Sequence, residues 1–148
     1  MKIALGQINP TVGDFSGNAA KIIQFALKAR STGAGLILFP ELAVSGYPPH
    51  DLVERPSFVT RNRETVERIA AETPGIALIC GMVTPAEADS GKKVMNSAAL
   101  LRDGRIYQSK RDNNVMAFAL RGCLLRAIRY SKVSYGEAGL SMDKTNCR

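Results

Sequence analysis

The 148-residue chain carries one histidine, His50, and three cysteines, Cys80, Cys123 and Cys147. The cysteines are odd in number, far apart and never spaced as CxxC. That pattern fits neither a disulfide framework nor a zinc site, so no metal and a reducing cytoplasmic setting are expected. No stretch approaches the roughly 20 apolar residues that a membrane span requires. The opening MKIALGQINP meets polar and turn residues too soon to be a signal peptide. No glycine-rich phosphate loop occurs. Aromatic residues make up 6% of the chain and do not interleave with its basic residues, which gives nucleic-acid binding little support.

What is present is ordinary globular composition: 45% apolar and 22% charged residues argue against disorder, and the length suits one domain. The net charge of +7 is unevenly placed. Residues 1–104 hold 11 Lys/Arg and 10 Asp/Glu, whereas residues 105–148 hold 9 and 3. The excess is therefore a property of the last third, not of the whole surface.

Hydrophobic patterning predicts an α/β domain. Residues 2–8 (KIALGQI) read as a buried strand broken by Asn9-Pro10. Asn18 is a candidate N-cap for a helix over 19–29, which Gly33 and Gly35 terminate. LILF at 36–39 is a second strand stopped by Pro40, so the order β-α-β implies a right-handed crossover between parallel neighbours. A second helix is expected over 57–72, with Phe58, Val59, Val66, Ile69 and Ala70 inward. IALICGMV (76–83), VMNSAALL (94–101) and RIYQSK (105–110) read as three more strands; residues 84–93 form a hairpin loop and Asp103-Gly104 a tight turn. Strands this apolar require helices on one face and a partner layer on the other.

Glu41 stands directly after the second strand, in LILFPELAVSGYPPHDL. Sites in open α/β sheets form at the carboxyl ends of strands. A carboxylate there, between Phe39, Pro40 and Leu42, is expected to be partly desolvated, a useful condition for a general base. A plain capping role after the proline is the alternative.

Three segments carry a family likeness: MKIALGQINPTVGDFSGN (1–18), LILFPELAVSGYPPHDLVERPSFV (36–59) and NSAALLRDGRI (96–106). The chain resembles the nitrilase superfamily of carbon–nitrogen hydrolases, and within it the N-terminal glutaminase domains of bacterial glutamine-dependent NAD synthetases. The resemblance covers roughly residues 1–110, and the GYPP-x-DL segment is its most specific part. It implies an α-β-β-α sandwich, here incomplete at the C-terminal side, and a Glu, a Lys and a Cys that together hydrolyse the side-chain amide of glutamine. Carried over residue by residue, Glu41 is the base and Lys110 the candidate oxyanion stabiliser, with an exposed charge at a strand end as the alternative for Lys110. The family lysine falls about two residues further on, where Asp112 stands. Tyr47, Pro48, Pro49 and Asp51 match the loop beside the substrate pocket, while His50 reads as a solvated loop residue. No nucleophile is assigned. Cys80 reads as a core residue, Cys123 follows Lys110 too soon, and Cys147 fits by spacing only.

The same resemblance implies no cofactor for the glutaminase portion. ATP and Mg2+ belong to a synthetase domain that this chain does not contain. The expected partners are glutamine as substrate, that synthetase domain and further copies in a homo-oligomer, with no nucleic acid and no membrane. From about residue 111 the likeness stops, so residues 1–110 read as a partial hydrolase domain and 111–148 as a non-family basic tail, as if the gene or frame were interrupted. The expected function is ammonia supply for NAD synthesis, with this isolated chain inactive. Two alternatives stay open: another small-amide hydrolase, or a non-catalytic binding remnant whose basic amphipathic stretch at 115–130 meets a membrane surface or a partner.

Overall fold

The computed structural model describes residues 1–86, 93–108, 132–136 and 139–143. The elements run β1 (Ile3–Leu5), α1 (Phe15–Ser31), β2 (Leu36–Leu38), a 3₁₀ turn (His50–Glu54), α2 (Pro56–Glu72), β3 (Ala77–Pro85), β4 (Val94–Arg102), β5 (Arg105–Gln108), β6 (Lys132–Gly136) and β7 (Gly139–Asp143). The strands form one sheet in the order β5-β4-β3-β2-β1-β7-β6. The centre is parallel, with Leu5 opposite Leu38 and Leu38 opposite Ile79. On both sides of it the pairing turns antiparallel. The β-α-β crossover and the β3–β4–β5 meander follow the order that the hydrophobic pattern gives, but β1 already ends at Leu5 and β3 runs on through Pro85. Residues 87–92 of the expected hairpin loop lie outside the described residues. Residues 111–148, read from sequence as a tail, contribute β6 and β7, and β7 pairs with β1. The amphipathic stretch at 115–130 lies outside the described residues.

Alternation along the strands sorts the side chains onto two faces. Ala4, Ile37, Phe39, Leu78, Cys80, Ala99 and Leu101 share one buried cluster with Ala19, Ile22 and Ala26 of α1 and Phe58, Val66 and Ile69 of α2. Each large aliphatic fully withdrawn from water here contributes about 1.5–3 kcal/mol. Both helices therefore cover the same face. The Phe15 and Phe58 rings meet edge-on at 5.0 Å between the two helices, and the Arg61 guanidinium lies 5.0 Å above the Phe15 ring.

Ile3, Leu36 and Leu38 form a separate cluster on the opposite face, with Leu5, Ala77 and Ile79 against it. No helix among the described residues packs there. Register continues this apolar row outward through Leu100 and Tyr107, which are 37% and 51% exposed. A sheet with helices on one side and an apolar second side is the arrangement expected of half a sandwich.

The start of α1 differs from expectation. The helix begins at Phe15, and the N-cap is Asp14, whose carboxylate accepts from the Gly17 N–H at 2.9 Å. Asn18 is no cap; it is wholly buried in the first turn. Phe15 extends the apolar spacing one turn before Ala19, but Ser16-Gly17-Asn18 has the composition of a turn, which is why the pattern hides the first turn of the helix.

Candidate active site

The parallel pairing of β2 with β3 ends at Leu38 and Ile79, and the Phe39 N–H reaches the Ile79 carbonyl at 2.8 Å. Pro40 has no N–H to continue the ladder. The chain then turns, closed by Ala43 N–H to the Pro40 carbonyl at 3.3 Å, which puts Glu41 and Leu42 at the two central positions. Leu42 sits in the left-handed region at φ 49 with its side chain buried. That conformation costs a non-glycine residue energy and persists only where surrounding packing imposes it.

Gly81 supplies the space for this turn. A Cβ there would overlap the Leu42 amide nitrogen and come within 3.0 Å of the Glu41 Cα. Only a residue without a side chain lets the turn rest on β3. By alternation Gly81 belongs to the face opposite the helices, as do Val83 and its cross-strand partner Asn96. The Glu41 carboxylate lies over this face and accepts a hydrogen bond from the Asn96 side-chain amide. Glu41 is exposed in this chain, where the sequence suggested partial desolvation.

Two buried asparagines, one on each helix, fix the segments around this turn. Asn18 of α1 exchanges two 2.8 Å hydrogen bonds with the backbone of Thr11 and donates to the Val44 carbonyl at 3.1 Å. The Gly13 N–H adds a bond to the Ser45 carbonyl at 2.9 Å. Gly46, at φ 82, lies so close to the preceding loop that a Cβ would fall 2.5 Å from the Val12 Cα. The TVGDFSGN and AVSGYPP segments therefore clasp each other backbone to backbone. Asn62 of α2 accepts from the Val83 N–H at 3.1 Å, beyond the last residue of β2 that could have paired there. Its Nδ2 has no hydrogen-bond partner among the described residues.

The loop residues expected beside the pocket follow this clasp. Tyr47 is 64% exposed and Pro48 is exposed, whereas Pro49 is buried. Asp51 is exposed in the 3₁₀ turn that leads to α2, next to exposed His50. Lys110, Cys123 and Cys147 lie outside the described residues. Cys80 is completely buried on the helix-covered face, and burial pushes its thiol up to about 12. It is thus separated by the sheet from the face on which Glu41 lies.

Asn96 and Gly81 received no role from the sequence. Asn96 heads the NSAALLRDGRI motif, and Gly81 interrupts an apolar strand, a known mark of close backbone approach. Neither feature names its neighbour, because Glu41 is 55 residues from Asn96 along the chain.

A carboxylate at the carboxyl end of a central parallel strand, on a sheet face that no helix among the described residues covers, fits the nitrilase-type α/β scaffold that the sequence resembles. The chain belongs to the carbon-nitrogen hydrolase family, whose profile matches residues 2–133. It is 48% identical over 110 residues to the glutamine-dependent NAD(+) synthetase of Synechocystis sp., covering 72% of this chain and 20% of that protein. Against the Thermotoga maritima glutamine-dependent NAD(+) synthetase the identity is 39% over 108 residues, with 72% and 18% covered. Among solved structures, the glutamine-dependent NAD+ synthetase of Acinetobacter baumannii superposes with a TM-score of 0.66 at 29% identity, over 94% of this chain and 26% of that one. An amidase from Nesterenkonia sp. gives 0.59 at 28% identity, over 72% and 40%. The chain spans about a fifth of the length of the curated relatives it matches. Among the described residues no helix is long and apolar enough to cross a membrane.

Proposed function

We propose that this chain is the base-bearing portion of a glutaminase that releases ammonia from glutamine for ATP-dependent NAD synthesis. The observation that carries the reading is the Glu41 turn: a strained Leu42, a side-chain-free Gly81 and the Asn96 amide all converge on one carboxylate. The synthetase relatives named above support glutamine as the substrate. The Nesterenkonia amidase, which has been solved with acrylamide added to its active-site cysteine, supports a thiol nucleophile in this fold.

In this reading Glu41 takes the proton of a cysteine thiol as the sulfur attacks the amide carbonyl. It hands that proton to the departing nitrogen, which leaves as ammonia, and then draws a proton from the water that cleaves the thioester to glutamate. Lys110 is proposed to stabilise the oxyanion. Tyr47, Pro48, Pro49 and Asp51 are proposed to wall the substrate side. ATP and Mg2+ serve the synthetase step, which lies with residues other than these, and homo-oligomers are part of the same proposal. Cys80 cannot be the nucleophile, since its thiol is neutral and faces the helices. Residues 1–148 alone are accordingly proposed to be inactive.

The test measures glutamine-dependent ammonia release by the 148-residue chain and by any longer product of the same gene, each with Glu41→Gln. The expected outcome is no release from the short chain and release from a longer product that the substitution abolishes. Release that survives Glu41→Gln overturns the base assignment. Release from the short chain overturns its inactivity.

A further inference from the structure

Glu41 is exposed and sits on a turn, so the turn by itself orients the backbone but not the carboxylate. A glutamate has three rotatable bonds before its oxygens, and a free one samples many positions. A base has to present one oxygen at hydrogen-bond distance from the group it deprotonates. Something must select the rotamer. The only hydrogen bond that the described residues offer this carboxylate comes from Asn96.

The position of Asn96 is set by the sheet. It lies directly opposite Val83 in the β3–β4 pairing, with Ala98 opposite Gly81, so β4 presents the amide on the same face as the turn and one step beyond it. Ser97, its neighbour, points to the helix side and meets Thr84 there at 2.7 Å, both buried. That buried hydroxyl pair fixes the register of β4 at this level, since a one-residue slip would exchange Ser97 and Asn96 between the faces. Gly81, which has no side chain, lets the Glu41 turn rest directly on β3 beside β4. An amide donor on one carboxylate oxygen is a charge-assisted bond with defined direction, and it leaves the second oxygen unengaged.

We propose that Asn96 is the positioning residue for Glu41: its amide holds one carboxylate oxygen and thereby aims the other at the proton to be transferred. The inference rests on the reading of Glu41 as the base. Asn96 touches neither substrate nor nucleophile in this scheme and acts only through Glu41.

Two measurements test it. In 15N-labelled chain, the Asn96 side-chain amide resonances are assigned by their disappearance in Asn96→Leu. They are expected to move when Glu41→Ala removes the acceptor and to stay nearer the wild-type position in Glu41→Gln, which retains one. Identical resonances in wild type and Glu41→Ala overturn the proposal. In a glutamine-hydrolysing product of the gene, Asn96→Leu is expected to lower kcat about tenfold with KM within about twofold, the size of one directed hydrogen bond. An unchanged kcat overturns the proposal too. Full activity in Glu41→Gln is a separate failure: it removes the base reading, whatever the amide resonances show.

Discussion

Asn18 on α1 and Val44 in the loop after β2 are joined by a buried 3.1 Å hydrogen bond, from the side-chain amide to the carbonyl. Through the two further bonds between Asn18 and Thr11, one helix side chain holds both loops at this end of the strands. Replacing it by Ala leaves the buried Val44 carbonyl and the part-buried Thr11 backbone groups without these partners. Asn18→Ala is expected to destabilise the fold by about 3 kcal/mol, read from the urea midpoint at constant m-value. A loss below about 0.5 kcal/mol would show that the clasp is not held by this residue.

Gly46 tests the same clasp from the other side. Its positive φ and its approach to the Val12 backbone both exclude a Cβ. Gly46→Ala is expected to cost at least about 2 kcal/mol. Gly104→Ala, also at positive φ but with open space around it, is expected to cost less.

Glu41→Gln separates chemistry from stability. The residue is exposed and the substitution keeps an acceptor for Asn96, so stability should change by no more than about 0.5 kcal/mol. Ammonia release by a glutamine-hydrolysing product should fall by about 10²–10⁴-fold. A comparable loss of stability and activity would indicate a structural carboxylate instead.

Cys80 gives a pH prediction with a definite sign. Its thiol titrates near 9.0 when unfolded and is pushed up to about 12 by burial in the fold. The folded state therefore keeps the proton longer. The contribution is complete below pH 9 and is lost as pH rises from there towards 12, with a slope approaching about 1.4 kcal/mol for each step of pH. Urea titrations above pH 9 should show this decline, and Cys80→Ala should remove that share of it. Alkylation of Cys80 at pH 8 should require unfolding, because the buried thiol holds almost no thiolate there.

Much of the scaffold was readable in the chain. Both helices, the parallel start and the antiparallel meander follow from periodicity and from Pro10, Pro40, Gly33 and the Asp103-Gly104 turn. Phe58, Val66, Ile69 and Ala70 line the inner face of α2 as their spacing requires. The two asparagines were not readable as internal ties. A polar residue in a helical pattern is expected to face water, and only the end of β2 and the approach of the 11–13 loop create buried backbone groups for Asn18 and Asn62 to satisfy.

The sequence alone determined that β2 stops before Pro40 and that Glu41 follows it, because proline acts on its immediate neighbours. It also determined the family, since the GYPP-x-DL and TVGDFSGN segments are specific as strings. Tertiary structure alone decided that those two strings hold each other, that Gly81 makes room for the Glu41 turn, and that Asn96 meets the carboxylate. These are contacts between residues tens of positions apart. They arise when sheet register carries separate strands to the same height on one face, and no local pattern encodes that coincidence.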